Sequence, residues 1–291
     1  MNTSTLEFSI LGPAFVAGLL VLATHVPLGI EVLRRGIIFI DLAIAQMAGL
    51  GALAGSLYLP DAMDGGNVLA VQVCSLAAAL AGAALLTWTE RRHPAIQEAL
   101  IGCLFVLSAS VSLLLVGQNP HGAEHIKDLL AGQILWVLWP QIAVVAGLYA
   151  VLLIGWFTLR HRMGRAGFYV IFALAVTASV QLVGVYLVFA SLIMPALALR
   201  RVEGGWRLFS AWLTGAAGLV AGLVLSALFD LSTGPTVVAT LALVSLAAGI
   251  LSSRWVGSRR HSTHAAHTEQ VATAGLQLST ATAAREKAVP G

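Results

Sequence analysis

Apolar runs long enough to cross a lipid bilayer, separated by short charged connections, occupy most of this sequence. They fall at 9–33, 36–58, 67–89, 96–117, 134–158, 167–199, 207–229 and 234–252. A spanning helix needs about 20 predominantly apolar residues, because only a helix satisfies its own backbone polar groups in hydrocarbon. Charged residues make up 10% of the chain and hydrophobic ones 58%. Soluble domains carry about 25% charge. A water-soluble fold has no place for so much apolar surface, so the expected fold class is an all-α, polytopic membrane protein of about eight transmembrane helices.

The sixth run does not fit a single crossing. Its 33 residues would reach about 50 Å as one helix, against a hydrocarbon core of about 30 Å. Gly184 and Pro195 lie inside it. Loop charge indicates how the run breaks. Arg34 and Arg35, then Arg91 and Arg92, then Arg160, Arg162 and Arg165 fall in alternate connections, and so on one side of the membrane. Basic loops face the cytoplasm. Arg200, Arg201, Arg207, Arg254, Arg259 and Arg260 join that side only if the run 167–199 crosses and returns. The expectation is a broken or re-entrant segment within 167–199, with the N-terminus outside and the C-terminus inside. MNTSTLEF lacks the basic start of a cleavable leader, so the first run reads as a retained helix.

The transmembrane domain spans 1–257. From Ser258 the chain turns rich in Ser, Thr, Ala, His and Gln, with His261, His264 and His267 at every third position. That composition predicts a disordered cytoplasmic tail over 258–291. Its histidines are either incidental or a weak metal-binding tract. The formal charge of +3 comes from loop clusters of the cytoplasmic kind, so no nucleic-acid partner is expected. Cys74 and Cys103 lie in apolar runs with no CxxC spacing, which argues against a disulfide framework. No GxxxxGK(S/T) phosphate loop, HExxH or nucleophile elbow occurs, so the chain has no recognisable ATP site and no visible catalytic constellation.

Polar groups inside apolar runs are costly and therefore informative. Asp41 lies in GIIFIDLAIAQMAGLG, with Gln46 five residues on. Asp41 either lines a substrate path or sits near the interface as a helix-capping carboxylate. Glu98 opens the fourth run in HPAIQEALIG, where a first-turn acid suits the helix dipole. His25, in THVPLG, and Gln181, in TASVQLVG, read first as packing or hydrogen-bond residues and second as path residues. The outer connection GQNPHGAEHIKDLLAGQ carries His121, Glu124, His125 and Asp128 at spacings that cluster on a helix. Such ligands suit zinc or manganese, although a solvated loop has the same composition. GALAG (51–55) and GLVAG (218–222) carry GxxxG spacing, which serves close helix packing within a chain or a dimer contact.

Four segments together resemble the ABC-3 family of permeases, the membrane subunits of zinc, manganese and iron ABC importers. They are PLGIEVLRRGIIFIDLAIAQMAGLG (27–51), IKDLLAGQIL (126–135), VTASVQLVGVYLVFASLIMPALALR (176–200) and LFDLSTGPTVVATLAL (228–243). The resemblance covers about residues 8–255. It implies a homodimer of permease chains in the bacterial cytoplasmic (inner) membrane. Two separate ATPase subunits would dock below and an extracytoplasmic metal-binding protein would deliver the ion above. It implies no permanently bound cofactor: the divalent metal is cargo, and ATP acts only through the partner subunit. The segment from Arg200 to Arg207, including Arg201 and Glu203, is similar to the family's coupling helix, and loop charge independently places it inside. Asp41 matches a family Asp that is commonly followed four residues later by His. Here residue 45 is Ala. The metal-path candidates are then Asp41, Gln46, His25, Glu98, His121 and His125.

The expected function is alternating access for a divalent transition metal, zinc or manganese, driven by the ATPases. The alternative is a secondary transporter or channel for a small solute, which would show internal inverted repeats and more intramembrane charge. An intramembrane enzyme would need a paired catalytic constellation in the bilayer.

Overall fold

The computed structural model describes residues 3–59, 68–117, 134–159, 162, 164–202 and 204–253. Among them there is no strand. The elements are α1 (Thr3–Arg35), α2 (Ile40–Tyr58), α3 (Val68–Arg92), α4 (Gln97–Val116), α5 (Trp139–Leu159), α6 (Arg165–Val183), α7 (Val185–Ala198), α8 (Gly205–Phe229) and α9 (Thr233–Ser253). Short 3₁₀ turns at Pro94–Ile96 and Ile134–Trp136 lead into α4 and α5. All except α7 are long and apolar enough to cross a membrane. The expected eight apolar runs are therefore present, and the fifth run opens as a 3₁₀ turn.

The sixth run breaks at Gly184, where φ is +80° and ψ 163°. Side-chain-bearing residues rarely adopt that backbone, so glycine sets the position of the break. The chain then returns. On α6, Phe168 lies under the Arg35 guanidinium at 4.1 Å, at the arginine end of α1. On α7, Leu192 and Ala196 pack against Gly29 of α1. Ala198 lies against Gly249 and accepts the Ser252 hydroxyl at 3.4 Å, near the end of α9. Both legs therefore end on the arginine side, with Gly184 at the apex. With 14 residues α7 measures about 21 Å and is too short to span.

α1 is the central post, packing on α7 and α8, while α2 packs on α3 and α4, and α3 on α6. Close approach depends on small residues. A Cβ on Gly29 would collide with the Leu192 carbonyl oxygen, and one on Gly51 would meet the backbone of Cys74. Gly218 and Gly222 face Leu241 and Val237 on α9. Both GxxxG patterns therefore serve packing between neighbouring helices of the same chain. The α8–α9 hairpin closes through Asp230 in the left-handed region (φ 52°). There Ser226 donates to the Leu231 carbonyl at 2.7 Å and pairs with Thr233 at 2.7 Å.

Candidate functional site

The sequence candidates occupy two depths of the bundle. Nearer the arginine end, Asp41 stands in the first turn of α2. It is fully buried, and neither carboxylate oxygen has a hydrogen-bond partner among the described residues. Burying a lone carboxylate costs several kcal/mol. The positive end of α2 returns at most about 2 kcal/mol. The geometry suits a group that takes up a cation or a proton. Ala45, one helical turn on and 1% exposed, adds no ligand. Gln46 is half-buried.

Glu98, in the first turn of α4, accepts the Phe39 backbone N–H through Oε1 at 3.1 Å. Phe39 is the residue before α2, so the acid of α4 caps the start of α2. Glu98 Oε2 is buried with no partner among the described residues. Glu98 thus has a structural anchor and a second oxygen left over beside the same helix end as Asp41.

Deeper in the bundle is His25, ten residues before Arg35 and so about 15 Å along α1 from that end. His25 is fully buried. Its Nδ1 lies 2.9 Å from the Val21 carbonyl. A carbonyl only accepts, so Nδ1 carries the proton and Nε2 presents a lone pair. Nε2 has no partner among the described residues. A metal-binding histidine is oriented in this way, with the second nitrogen fixed by a backbone carbonyl. Thr24 donates to Val21 O at 3.0 Å and lies 3.0 Å from His25 Nδ1. On α6, Ser179 donates to Ala175 O at 2.7 Å and pairs with the Tyr149 hydroxyl of α5. Thr177 is buried with its hydroxyl unpartnered among the described residues. Gln181 is exposed.

A third polar layer closes the arginine end. Gln97 donates to Tyr169 at 3.2 Å and to the Leu86 carbonyl at 3.0 Å, and accepts from Thr89 at 3.0 Å. Arg165 reaches Glu90 at 3.6 Å. Glu31 accepts from Arg34 at 2.6 Å and from Arg35 at 2.7 Å. These bonds tie α3, α4 and α6 together at one end, and Arg35 over Phe168 joins α1 to them. The layer escapes a reading by motif, because Thr89, Gln97 and Tyr169 lie at helix edges where polar residues are ordinary.

Arg200 and Arg201 are exposed in the turn after α7, and Arg207 is half-buried in the first turn of α8. In the segment expected as the coupling helix, Arg200 and Arg201 thus lie in a turn, and Arg207 belongs to α8, which starts at Gly205. Glu203 lies outside the described residues. His121 and His125, with Glu124 and Asp128, also lie outside them, as does the histidine tail. Among the described residues no three His, Cys, Asp or Glu side chains gather to hold an ion. Asp41 and His25 are separate stations rather than one coordination shell.

A model of the ABC 3 transport family matches residues 7–166 and 158–252. The chain is 23% identical over 257 residues to the high-affinity zinc uptake system membrane protein ZnuB of Haemophilus influenzae. That match covers 79% of this chain and 93% of the relative. It is 27% identical over 267 residues to slr2045, an uncharacterized membrane protein of Synechocystis sp., covering 83% of this chain and 92% of that one. Among solved structures, PsaBC from Streptococcus pneumoniae in complex with Fab superposes with a TM-score of 0.68 at 20% identity. This match covers 86% of this chain and 95% of that chain and bears on the fold alone.

Proposed function

We propose that this chain, which belongs to the ABC 3 transport family, is the membrane permease of an ABC importer for divalent transition-metal ions, zinc or manganese first. The observation that carries the reading is Asp41: a fully buried carboxylate, inside the membrane bundle, with both oxygens unpartnered among the described residues. Evolution tolerates such a group where an ion passes. His25 supports it with a lone pair aimed from a fixed ring. The zinc uptake named for the Haemophilus influenzae relative makes zinc the first cargo to test.

The protein is a multi-pass inner-membrane protein. Its sequence has no phosphate loop, so the energy comes from ATPase subunits docked at the arginine face. Two permease copies, two ATPases and an extracytoplasmic metal-binding protein complete the transporter. Closure of the ATPases moves the segment that carries Arg200, Arg201, Glu203 and Arg207 and switches the bundle between outward- and inward-open states. The ion loses its water in stages, at His25 and then at Asp41. Neutral imidazole and a lone carboxylate bind it in turn, and neither forms a closed cage that would trap it.

The test is reconstitution in liposomes with the cognate ATPase and binding protein. Zinc or manganese should stimulate ATP hydrolysis and accumulate inside. No stimulation by zinc, manganese or iron sinks the metal reading. Uptake without any ATPase favours a secondary transporter.

A further inference from the structure

The arginine face carries a second feature, away from Asp41 and His25. Between α7, the turn after it and α9 lies a cleft of about 470 Å³. One wall is apolar and open to the membrane: Leu197, Leu246 and Ile250 are 42%, 63% and 47% exposed. Ala242 and Gly249, with almost no side chain, leave its floor open. Arg200 and Arg201 stand at its cytoplasmic rim, both exposed. Neither forms an ion pair among the described residues.

Ser245 is the independent observation. It lines the cleft, is 5% exposed, and its hydroxyl has no partner among the described residues. Other serines of the bundle bond back to a carbonyl of their own helix, Ser108 to Leu104 and Ser252 to Gly249 among them. Ser245 stands seven residues inside Ser252, about 10 Å deeper. The cleft therefore offers two cations at the surface, a hydroxyl donor deeper in, and an apolar trough leading into the bilayer.

We propose that this cleft binds an anionic phospholipid of the cytoplasmic leaflet. The phosphate sits between Arg200 and Arg201, a glycerol ester oxygen accepts from Ser245, and one acyl chain lies along Leu246 and Leu197. Basic pockets between transmembrane helices on the cytoplasmic side take anionic headgroups in this manner. A zwitterionic lipid presents the same chains without the net charge, so the arginines select against it. The occupant bridges α7 and α9 at the point where α7 runs into the turn. The proposal does not depend on the cargo, and its failure leaves the metal reading standing.

The test is native mass spectrometry of the purified full chain after exchange into detergent doped with equal phosphatidylglycerol and phosphatidylcholine. The wild type should retain phosphatidylglycerol in preference. Arg200→Gln with Arg201→Gln should weaken retention roughly thirtyfold, as for two basic contacts at a membrane surface. Ala242→Trp, which fills the floor and keeps both arginines, should also lose the lipid. Ser245→Ala, the mildest change, keeps the fold and should weaken retention severalfold. Equal retention of the two lipids by the wild type overturns the proposal. So does full retention in the arginine pair. Disulfide-linked dimers formed through Leu246→Cys would overturn it too, by assigning the trough to a second copy of the chain.

Discussion

Replacing Gly29 by alanine adds one methyl group to the post of the bundle, and the structure says what that methyl meets. The new Cβ would overlap the Leu192 carbonyl oxygen, lie 2.9 Å from the Leu192 carbonyl carbon and 3.4 Å from the Ala196 Cβ. Ordinary contact between carbon atoms is about 3.5–4.0 Å. The α7 backbone must therefore retreat from α1 by roughly 0.6–1.1 Å, measured from the carbonyl carbon alone. Backbone has no rotamer to escape into, so the strain falls in the range for overpacking, about 1–3 kcal/mol. At about 2 kcal/mol the apparent unfolding midpoint should fall by about 4–8 °C. The assay is size-exclusion chromatography of detergent-solubilised protein after a heating series, run beside Gly102→Ala. Gly102 lies on α4 with nothing within 4 Å of its would-be Cβ. Its alanine variant should match the wild type or gain slightly from helix propensity. Metal uptake should fall in Gly29→Ala and persist in Gly102→Ala. If Gly29→Ala melts within about 1 °C of the wild type and transports normally, α7 does not pack on α1 as described.

Asp41→Asn keeps the side chain's shape and removes its charge; uptake should fall at least about tenfold while the unfolding midpoint holds or rises, because a buried unpaired charge destabilises. Unchanged uptake would leave Asp41 a structural carboxylate. Gln97→Leu strips partners from Thr89, Tyr169 and the Leu86 carbonyl, and should cost about 1–3 kcal/mol in the same thermal assay. Tyr149→Phe removes one donor to Ser179, whose own bond to Ala175 remains, and should cost about 1 kcal/mol. Gly51→Val should lower the midpoint by separating α2 from α3, with no change in the permease's oligomeric state on sizing, since Gly51 faces its own chain.

The broken sixth run was legible because two physical constraints met on it: its length exceeded one crossing, and Arg200, Arg201 and Arg207 belonged inside. The backbone at Gly184 satisfies both. Asp41 was legible because a carboxylate in an apolar run has no inexpensive explanation. What lay hidden was the role of groups whose chemistry is common at helix edges. Glu98 could be placed in a first turn, yet that it caps α2 rather than its own helix depends on how α2 and α4 pack. The His25 orientation was equally hidden, since a histidine's useful nitrogen is decided by which carbonyl the other one finds. The GxxxG stretches announced close packing and left the partner open, because small residues record proximity and carry no address.

The hairpin of α6 and α7 has a mechanical consequence. One leg is clamped at the arginine end through Arg165 to Glu90 and Tyr169 to Gln97. The other leg runs without interruption into the turn at Arg200 and Arg201. α7 is then a lever about 21 Å long, pivoted against a fixed arm at a single glycine. A tug on the cytoplasmic turn reaches the interior of the membrane in one stroke, with no intervening helix to absorb it.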